Sequence, residues 1–597
     1  MAIALVLLAQ TLGIHYGATK FTLKYMARNE AIPAQNAIMG QRATNLMLVD
    51  SSQDGVDEAE AMMKQVLLDM KVPTATVDLA KTDPDDIPSL NRYRTVLIVM
   101  PELDSLGDEL VSIMRWVEGG NMMLAMTPEK TGYLDAIGPQ IGIESSAYDY
   151  VMTKGIKPAR DFMLGGGHTY MFSGPFKSSL SLNLNEKATV EAVSANGHTP
   201  LIWSADVRSG RTVTCNIGIY GKVVRGFYAS AFSLLGSATA YPVINSAAFY
   251  LDDFPSPVPS GDATYIKRDY GMSIADFYSK VWWPDLTKLA ERYGIRFTGV
   301  MIENYGDDTK DAPVRQKDES HFSYFGGLLL KQNGEIGYHG YNHQPLVLPN
   351  TDYGDEYAYH QWPNRKAVVA SLRELIAFQK SVLPAATASV YVPPSNILSK
   401  EGRQTIGRDV PEIRTIASTY LPSDSKLPYV QEFGVADDGI VEAPRIVSGG
   451  MVGDYMRLAA ESELNMHFVS THFMHPDDML DPDRGAKEGW AVYRKGLENY
   501  LDWLEASAPS IRMQTGTECA SAVQRFSGLT VKMRESANEW EFDLGNFKDQ
   551  AWLLLRANHG TPGRIQGGSM IRMTGNLYLI KATDSTVHVE RKAGGAA

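Results

Sequence analysis

The stretch Phe249-Tyr250-Leu251-Asp252-Asp253-Phe254-Pro255 decides how the chain is read. Three apolar residues run straight into two adjacent carboxylates, and Pro255 stops the strand they form. A buried strand that ends in paired acids sets charge at the mouth of a sheet or barrel. That charge must be solvated, paired or bound to a metal, because a bare buried carboxylate is costly. A surface turn capped by Asp satisfies the same letters, and the histidines downstream decide between the two.

Outward from this strand, residues 241–510 alternate strands and helices. Helical spacing covers 273–281 and 284–293, and Gly294 closes the second helix before a strand over 295–302. A short strand covers 335–339, and a long amphipathic helix follows over 363–382, with Val368, Leu372, Leu375 and Ile376 on neighbouring turns. Further strands fall at 388–392, 415–418 and 465–471, with a helix over 490–504. Repeated strand–helix units with polar residues at strand ends predict an α/β barrel, complete or partly open.

Upstream, residues 44–126 also alternate strand and helix, which predicts a flavodoxin- or Rossmann-like domain over 41–240, completed by shorter strands from about residue 140. No GxGxxG follows the first strand, which argues against a dinucleotide, and 44–126 holds no cysteine nucleophile. The reading is an accessory domain. Gly165-Gly166-Gly167-His168 reads as a turn rather than a phosphate loop. Residues 511–597 are strand-rich and predict a small β-sandwich. Residues 1–40 form an N-terminal segment whose apolar run, 2–8, is too short to span a bilayer; it reads as a signal or anchor remnant, or equally as a buried first helix.

A chain of 597 residues needs several cores. Its net charge of -13 argues against nucleic acid or an anionic membrane surface as main partner. Two cysteines, Cys215 and Cys519, give neither a disulfide framework nor a cysteine zinc motif.

The chemistry concentrates in Gly337-Tyr338-His339-Gly340-Tyr341-Asn342-His343. On a helix or tight helical turn, that spacing brings both imidazoles to one point. With a carboxylate from another strand they make a His-His-Asp site with open positions, suited to a catalytic divalent metal. Two ordinary histidines satisfy the same pattern, and His360 has no spacing argument. Later, Phe468-Val469-Ser470-Thr471-His472-Phe473-Met474-His475 delivers two more histidines to a strand end, beside Asp477 and Asp478.

Taken in order, Asp252-Asp253, His339-x-x-x-His343, the turn Tyr391-Val392-Pro393-Pro394 and the strand-end Phe473-Met474-His475 resemble the polysaccharide deacetylases of NodB homology, carbohydrate esterase family 4, over about 241–507. The nearest likeness is to a divergent bacterial envelope group with a Rossmann-like N-terminal domain, and the domain order is similar to that of the Pel exopolysaccharide deacetylases. The resemblance implies a deacetylase-type barrel that removes acetyl groups from an N-acetylhexosamine polymer outside the cytoplasm, secreted or held at the envelope, with exopolysaccharide synthesis and export proteins as partners. It implies Asp253, His339 and His343 as ligands of zinc or a similar divalent ion, Asp252 as general base, and His475, or else His472, as general acid. Tyr391 and Pro393 would line the substrate, with a backbone N–H near Tyr391 in the oxyanion site. Val392 stands where the family's base-orienting arginine would be, and no counterpart of its Asp/Trp motif is found near 419–425. That departure supports the alternative, an inactive polysaccharide-binding or scaffold protein. A glycoside hydrolase would need two acids set apart across the bond, which adjacent Asp252 and Asp253 do not suggest.

Overall fold

The computed structural model describes residues 25–310, 312–351, 353, 358–422 and 427–592. The apolar run at 2–8 lies outside the described residues. No helix among them is long and apolar enough to cross a membrane.

The first unit is a nine-stranded sheet. Five parallel strands lie in the order Thr74–Asp78, Asn45–Val49, Thr95–Val99, Asn121–Leu124 and Gly210–Cys215. Four antiparallel strands, Pro200–Val207, Ala188–Ser194, Ile143–Pro158 and Tyr170–Leu184, extend it. Every residue of Asn45–Val49 and Thr95–Val99 is buried, as expected of strands covered on both faces. The crevice between the carboxyl ends of these two strands is where open α/β sheets bind ligands. Here the protein's own side chains bridge it. Gln53 donates to the Glu102 carbonyl and to Ser105 Oγ, and accepts from the Glu102 N–H.

The second unit is a parallel sheet that begins with Ser246–Asp252, all seven residues buried. Next to it come Thr298–Met301, Glu335–Tyr338, Val390–Tyr391 and Thr415–Ile416. On its other edge lies Val469–Met474. Residues 441–449 join the two ends. The N–H groups of Ala443 and Arg445 donate to Ile416 and Ser418 carbonyls, while those of Ile446 and Gly449 donate to Thr471 and Phe473 carbonyls. The sheet therefore bends round into a barrel-like wall, with the carboxyl ends of its strands forming one mouth. Helices Trp283–Tyr293, Arg365–Val382 and Trp490–Ser507 cover its outside through apolar stripes.

Two boundaries differ from the sequence reading. Residues Gly516–Gly528 form a helix on the barrel, not part of a β-sandwich, and Met513–Gln514 pairs with Ser246–Asp252. Two four-stranded sheets follow it, with Trp540, Phe542, Leu553, Ile580 and Val589 between them. One of them takes in Ala238–Val243, which pairs with Ala551–Ala557 from more than three hundred residues away. The strand before the barrel thus belongs to the C-terminal unit.

The first unit and the barrel meet where helix Arg225–Ser233 crosses helix Asp454–Met466. A Cβ on Gly226 would lie 1.8 Å from the Ser462 carbonyl oxygen, so only glycine fits this crossing. Nearby, the Asp69 carboxylate lies 3.4 Å from His467 Nε2, and Glu463 lies 2.6 Å from His467 Nδ1.

Candidate metal centre

Asp252 is the last residue of its strand, and Asp253 follows with φ of 53°. Successive side chains on a strand point to opposite faces. The left-handed turn at Asp253 breaks that alternation and lets both carboxylates serve one mouth. Such a conformation in a non-glycine residue marks a constrained position.

His339 leaves strand Glu335–Tyr338, which is separated from the Asp252 strand by Thr298–Met301, with its N–H on the Met301 carbonyl. Its ring Nδ1 lies 2.8 Å from the Val392 carbonyl, which makes Nδ1 the donor and leaves Nε2 with a free lone pair. The path from His339 to His343 is a turn, not a helix: Gly340 has φ of 88° and His343 φ of 58°. The two rings still come within 5.1 Å, centroid to centroid. The expected convergence holds, by a different backbone route.

Asp253 Oδ1 lies 3.8 Å from His339 Nε2 and 3.7 Å from His343 Nε2. Asp253 Oδ1 and His339 Nε2 are buried without a hydrogen-bond partner. Three ligand atoms lie within 4.8 Å of one another, two of them orphaned, and one is an imidazole held in the correct tautomer. Three converging ligand atoms of these types fit a divalent cation with open coordination positions. Burial lowers His339 to about 4 despite the opposing pull of Asp252 and Asp253, so its ring is neutral at physiological pH.

Asp252 faces a different partner. Arg445 Nη1 lies 2.7 and 2.5 Å from the two Asp252 oxygens, and Arg445 Nη2 donates to Asn396 Oδ1 at 2.5 Å. The guanidinium also sits 4.0 Å over the Phe473 ring. Burial alone would raise the Asp252 carboxyl; Arg445, then His339 and His475, outweigh it and hold it below the ordinary range. The guanidinium that pairs with Asp252 thus comes from residues 441–449 and not from position 392, which is Val. Sequence reasoning missed it because Arg445 has no local signature.

His475 Nε2 lies 3.6 Å from Asp252 Oδ2, and Nδ1 lies 3.4 Å from Asp478 Oδ1. Burial would lower its pKa, but Asp478 foremost, with Asp252 and Asp477, raises it to about 9. Asp478 also accepts the backbone N–H of His475 at 3.0 Å, so the carboxylate holds the residue from both sides. His475, Asp477 and Asp478 also cluster closely enough to hold a cation, but Arg484 already lies 3.2 Å from Asp477 and 3.4 Å from Asp478.

Three sequence assignments are corrected. His472 is buried away from the mouth, its Nε2 on the Gly449 carbonyl at 2.7 Å and its ring stacked on Tyr500. Strand alternation separates it from His475. Tyr391 and Pro393 are both buried in the wall and offer no side chain to a substrate. The Val392 N–H donates to the Tyr338 carbonyl as part of the sheet, so it is not a free oxyanion donor. His360 lies 3.7 Å from Asp307 with both side chains exposed, outside the constellation.

Among solved structures, the chain is similar to an exo-beta-1,4-mannosidase, Op5Man5, from Opitutaceae bacterium strain TAV5, with 16% identity over 30% of this chain and 31% of that one, TM-score 0.22. A beta-galactosidase from Bacillus circulans sp. alkalophilus gives 14% identity over 34% and 33%, TM-score 0.23. The Cytoplasmic Protein STM1381 from Salmonella typhimurium LT2 gives 12% identity over 29% of this chain and 86% of that one, TM-score 0.23. The chain spans about a third of the length of the two glycosidases, and at these scores the likenesses carry no argument. No functionally curated protein matches. A family model does match, over residues 1–172 and 169–579, nearly the whole length, and the chain belongs to that family, described as "Uncharacterised protein conserved in bacteria (DUF2194)".

Proposed function

We propose that this protein is a metal-dependent amide hydrolase that removes acetyl groups from an N-acetylhexosamine polymer. The observation that supports it is one mouth holding an orphaned Asp253–His339–His343 ligand set between an Arg445-bound Asp252 and an Asp478-bound His475. Asp253, His339 and His343 would hold the cation, with zinc favoured by two imidazoles and one carboxylate. When bound, it polarises the acetamide carbonyl and makes water more acidic.

The chain's own groups do the rest. Asp252, kept ionised and oriented by Arg445, accepts a proton from the water that attacks the carbonyl carbon. His475, kept protonated by Asp478, donates from Nε2 to the departing nitrogen as the C–N bond breaks. Acetate and a free amine result. Each amine is cationic at neutral pH, and the acidic surface suits a product of that charge.

Metal analysis paired with acetate release from N-acetylated oligosaccharides tests this reading. About one divalent ion per chain and acetate release are expected, with release lost in Asp252→Asn while the ion stays. Glycan binding by metal-replete protein with no acetate from any such polymer would sink the hydrolytic reading and leave a binding or scaffold protein. Placement at a bacterial envelope, beside exopolysaccharide export proteins, belongs to the same proposal.

A further inference from the structure

Behind His475 lies a group that none of the steps above uses. The Tyr493 hydroxyl donates to Asp478 Oδ2 at 2.5 Å, and the His475 backbone N–H reaches the same oxygen at 3.0 Å. The other oxygen, Oδ1, is shared between His475 Nδ1 and Arg484 Nη1, each at 3.4 Å. Arg484 reaches in from a side chain 44% exposed. The carboxylate therefore feels two pulls, inward to the imidazole and outward to the guanidinium.

Rotation about the last bond of an aspartate is soft. Something must stop Asp478 from turning toward Arg484 and releasing His475. Tyr493 is built for that restraint. It lies in the first turn of helix Trp490–Ser507, fully buried. Its ring is held on two sides by backbone: a Cβ on Gly450 would come within 2.5 Å of Cδ1, and one on Gly485 within 2.9 Å of Cδ2. Trp490 stacks on it at 5.6 Å and 22°. Burial, then Asp478, pushes its hydroxyl well above the usual phenol range, so it keeps its proton and donates it to Asp478.

We propose that Tyr493 is a positioning residue for the acid: by fixing Asp478 it fixes the His475 ring, with the proton on Nδ1 facing inward and Nε2 facing Asp252 and the substrate. The kinetic consequence rests on the hydrolytic reading above; the geometric one does not.

Tyr493→Phe keeps the ring and removes the donor, and two measurements test it in the full-length metal-loaded protein. The first is acetate release from a short N-acetylated chitooligosaccharide. We expect kcat to fall roughly tenfold, the loss of one hydrogen bond to a charged group, with KM and metal content unchanged. Asp478→Asn should fall further, and the double variant should be no worse than Asp478→Asn alone. The second is the His475 Nδ1–H resonance in proton–nitrogen NMR spectra, expected to be sharp in the wild type and broadened by exchange in Tyr493→Phe. An unchanged resonance, an unchanged kcat in an active enzyme, or multiplying effects in the double variant would overturn the proposal. A wild type that releases no acetate, yet shows the resonance change, defeats the hydrolytic reading and leaves the positioning role standing.

Discussion

Asp252 and Asp253 are adjacent in sequence and serve different chemistry because of one backbone angle. Asp253 turns toward the imidazoles, and Asp252 stays on the strand and meets Arg445. The two acids should separate cleanly by mutation: Asp253→Ala or His343→Ala should lose the bound metal on dialysis, whereas Asp252→Asn should keep it. The pH profile follows from signs. A raised His475 keeps its proton through neutrality and releases it near pH 9, while a depressed Asp252 is already ionised well below that. The rate of acetate release should therefore hold level through neutral pH and fall above about 9, measured as kcat/KM against pH. Arg445→Met should leave Asp252 buried with only His475 beside it, costing up to about 3–5 kcal/mol in urea unfolding as well as activity. The convergence of Asp253, His339 and His343 was legible in the sequence because an Asp-Asp strand end and a histidine pair are local patterns. Arg445 was not, and Asp478 was seen only as one of two acids beside the histidines, not as the partner of His475. An ion pair spanning 193 positions leaves no spacing to read, and an Asp three residues past a histidine looks like any turn.

At the level of elements, close approach and burial of charge set the sensitive points. Gly226→Ala would drive a methyl into the Ser462 carbonyl, and a loss of about 1–3 kcal/mol or more is expected in thermal or urea unfolding. On the facing helix, Glu461 is fully buried and neither of its oxygens has a partner. Burial raises its carboxyl well above the usual range. A raised acid contributes stability below its unfolded pKa and loses it as pH climbs through the folded value. Glu461→Gln should therefore melt at a higher temperature than wild type at pH 8 and at about the same temperature at pH 4. Helices such as Arg365–Val382 and Trp490–Ser507 were readable through period and stop signals, but Asp454–Met466 was not, and the strand read over 465–471 begins at Val469. Helix Gly516–Gly528 was not readable either, because nearly all of it is buried and its polar faces are hidden against neighbours, which erases the apolar stripe.

Across the whole molecule, three sequence regions share surfaces that no linear division predicts. His467, raised to about 9 because Glu463 and Asp69 outweigh its burial, ties the first unit to the barrel by a buried charge pair. The segment from residue 25 lies on the barrel and on helix Gly516–Gly528, with Tyr25 donating to the Arg414 carbonyl and Gln524 hydrogen-bonded to Met26. Removing residues 530–597 should strip Ala238–Val243 of its partner and give aggregated rather than soluble protein, checked by size-exclusion chromatography. That same pairing sets a schedule for synthesis. Ala238–Val243 leaves the ribosome about 300 residues before Ala551–Ala557, and at ordinary translation speeds it waits roughly fifteen seconds to a minute with a bare edge. A nascent chain of this protein has an interval in which its middle is made and its closing strand is not, and a holding chaperone has one defined place to act.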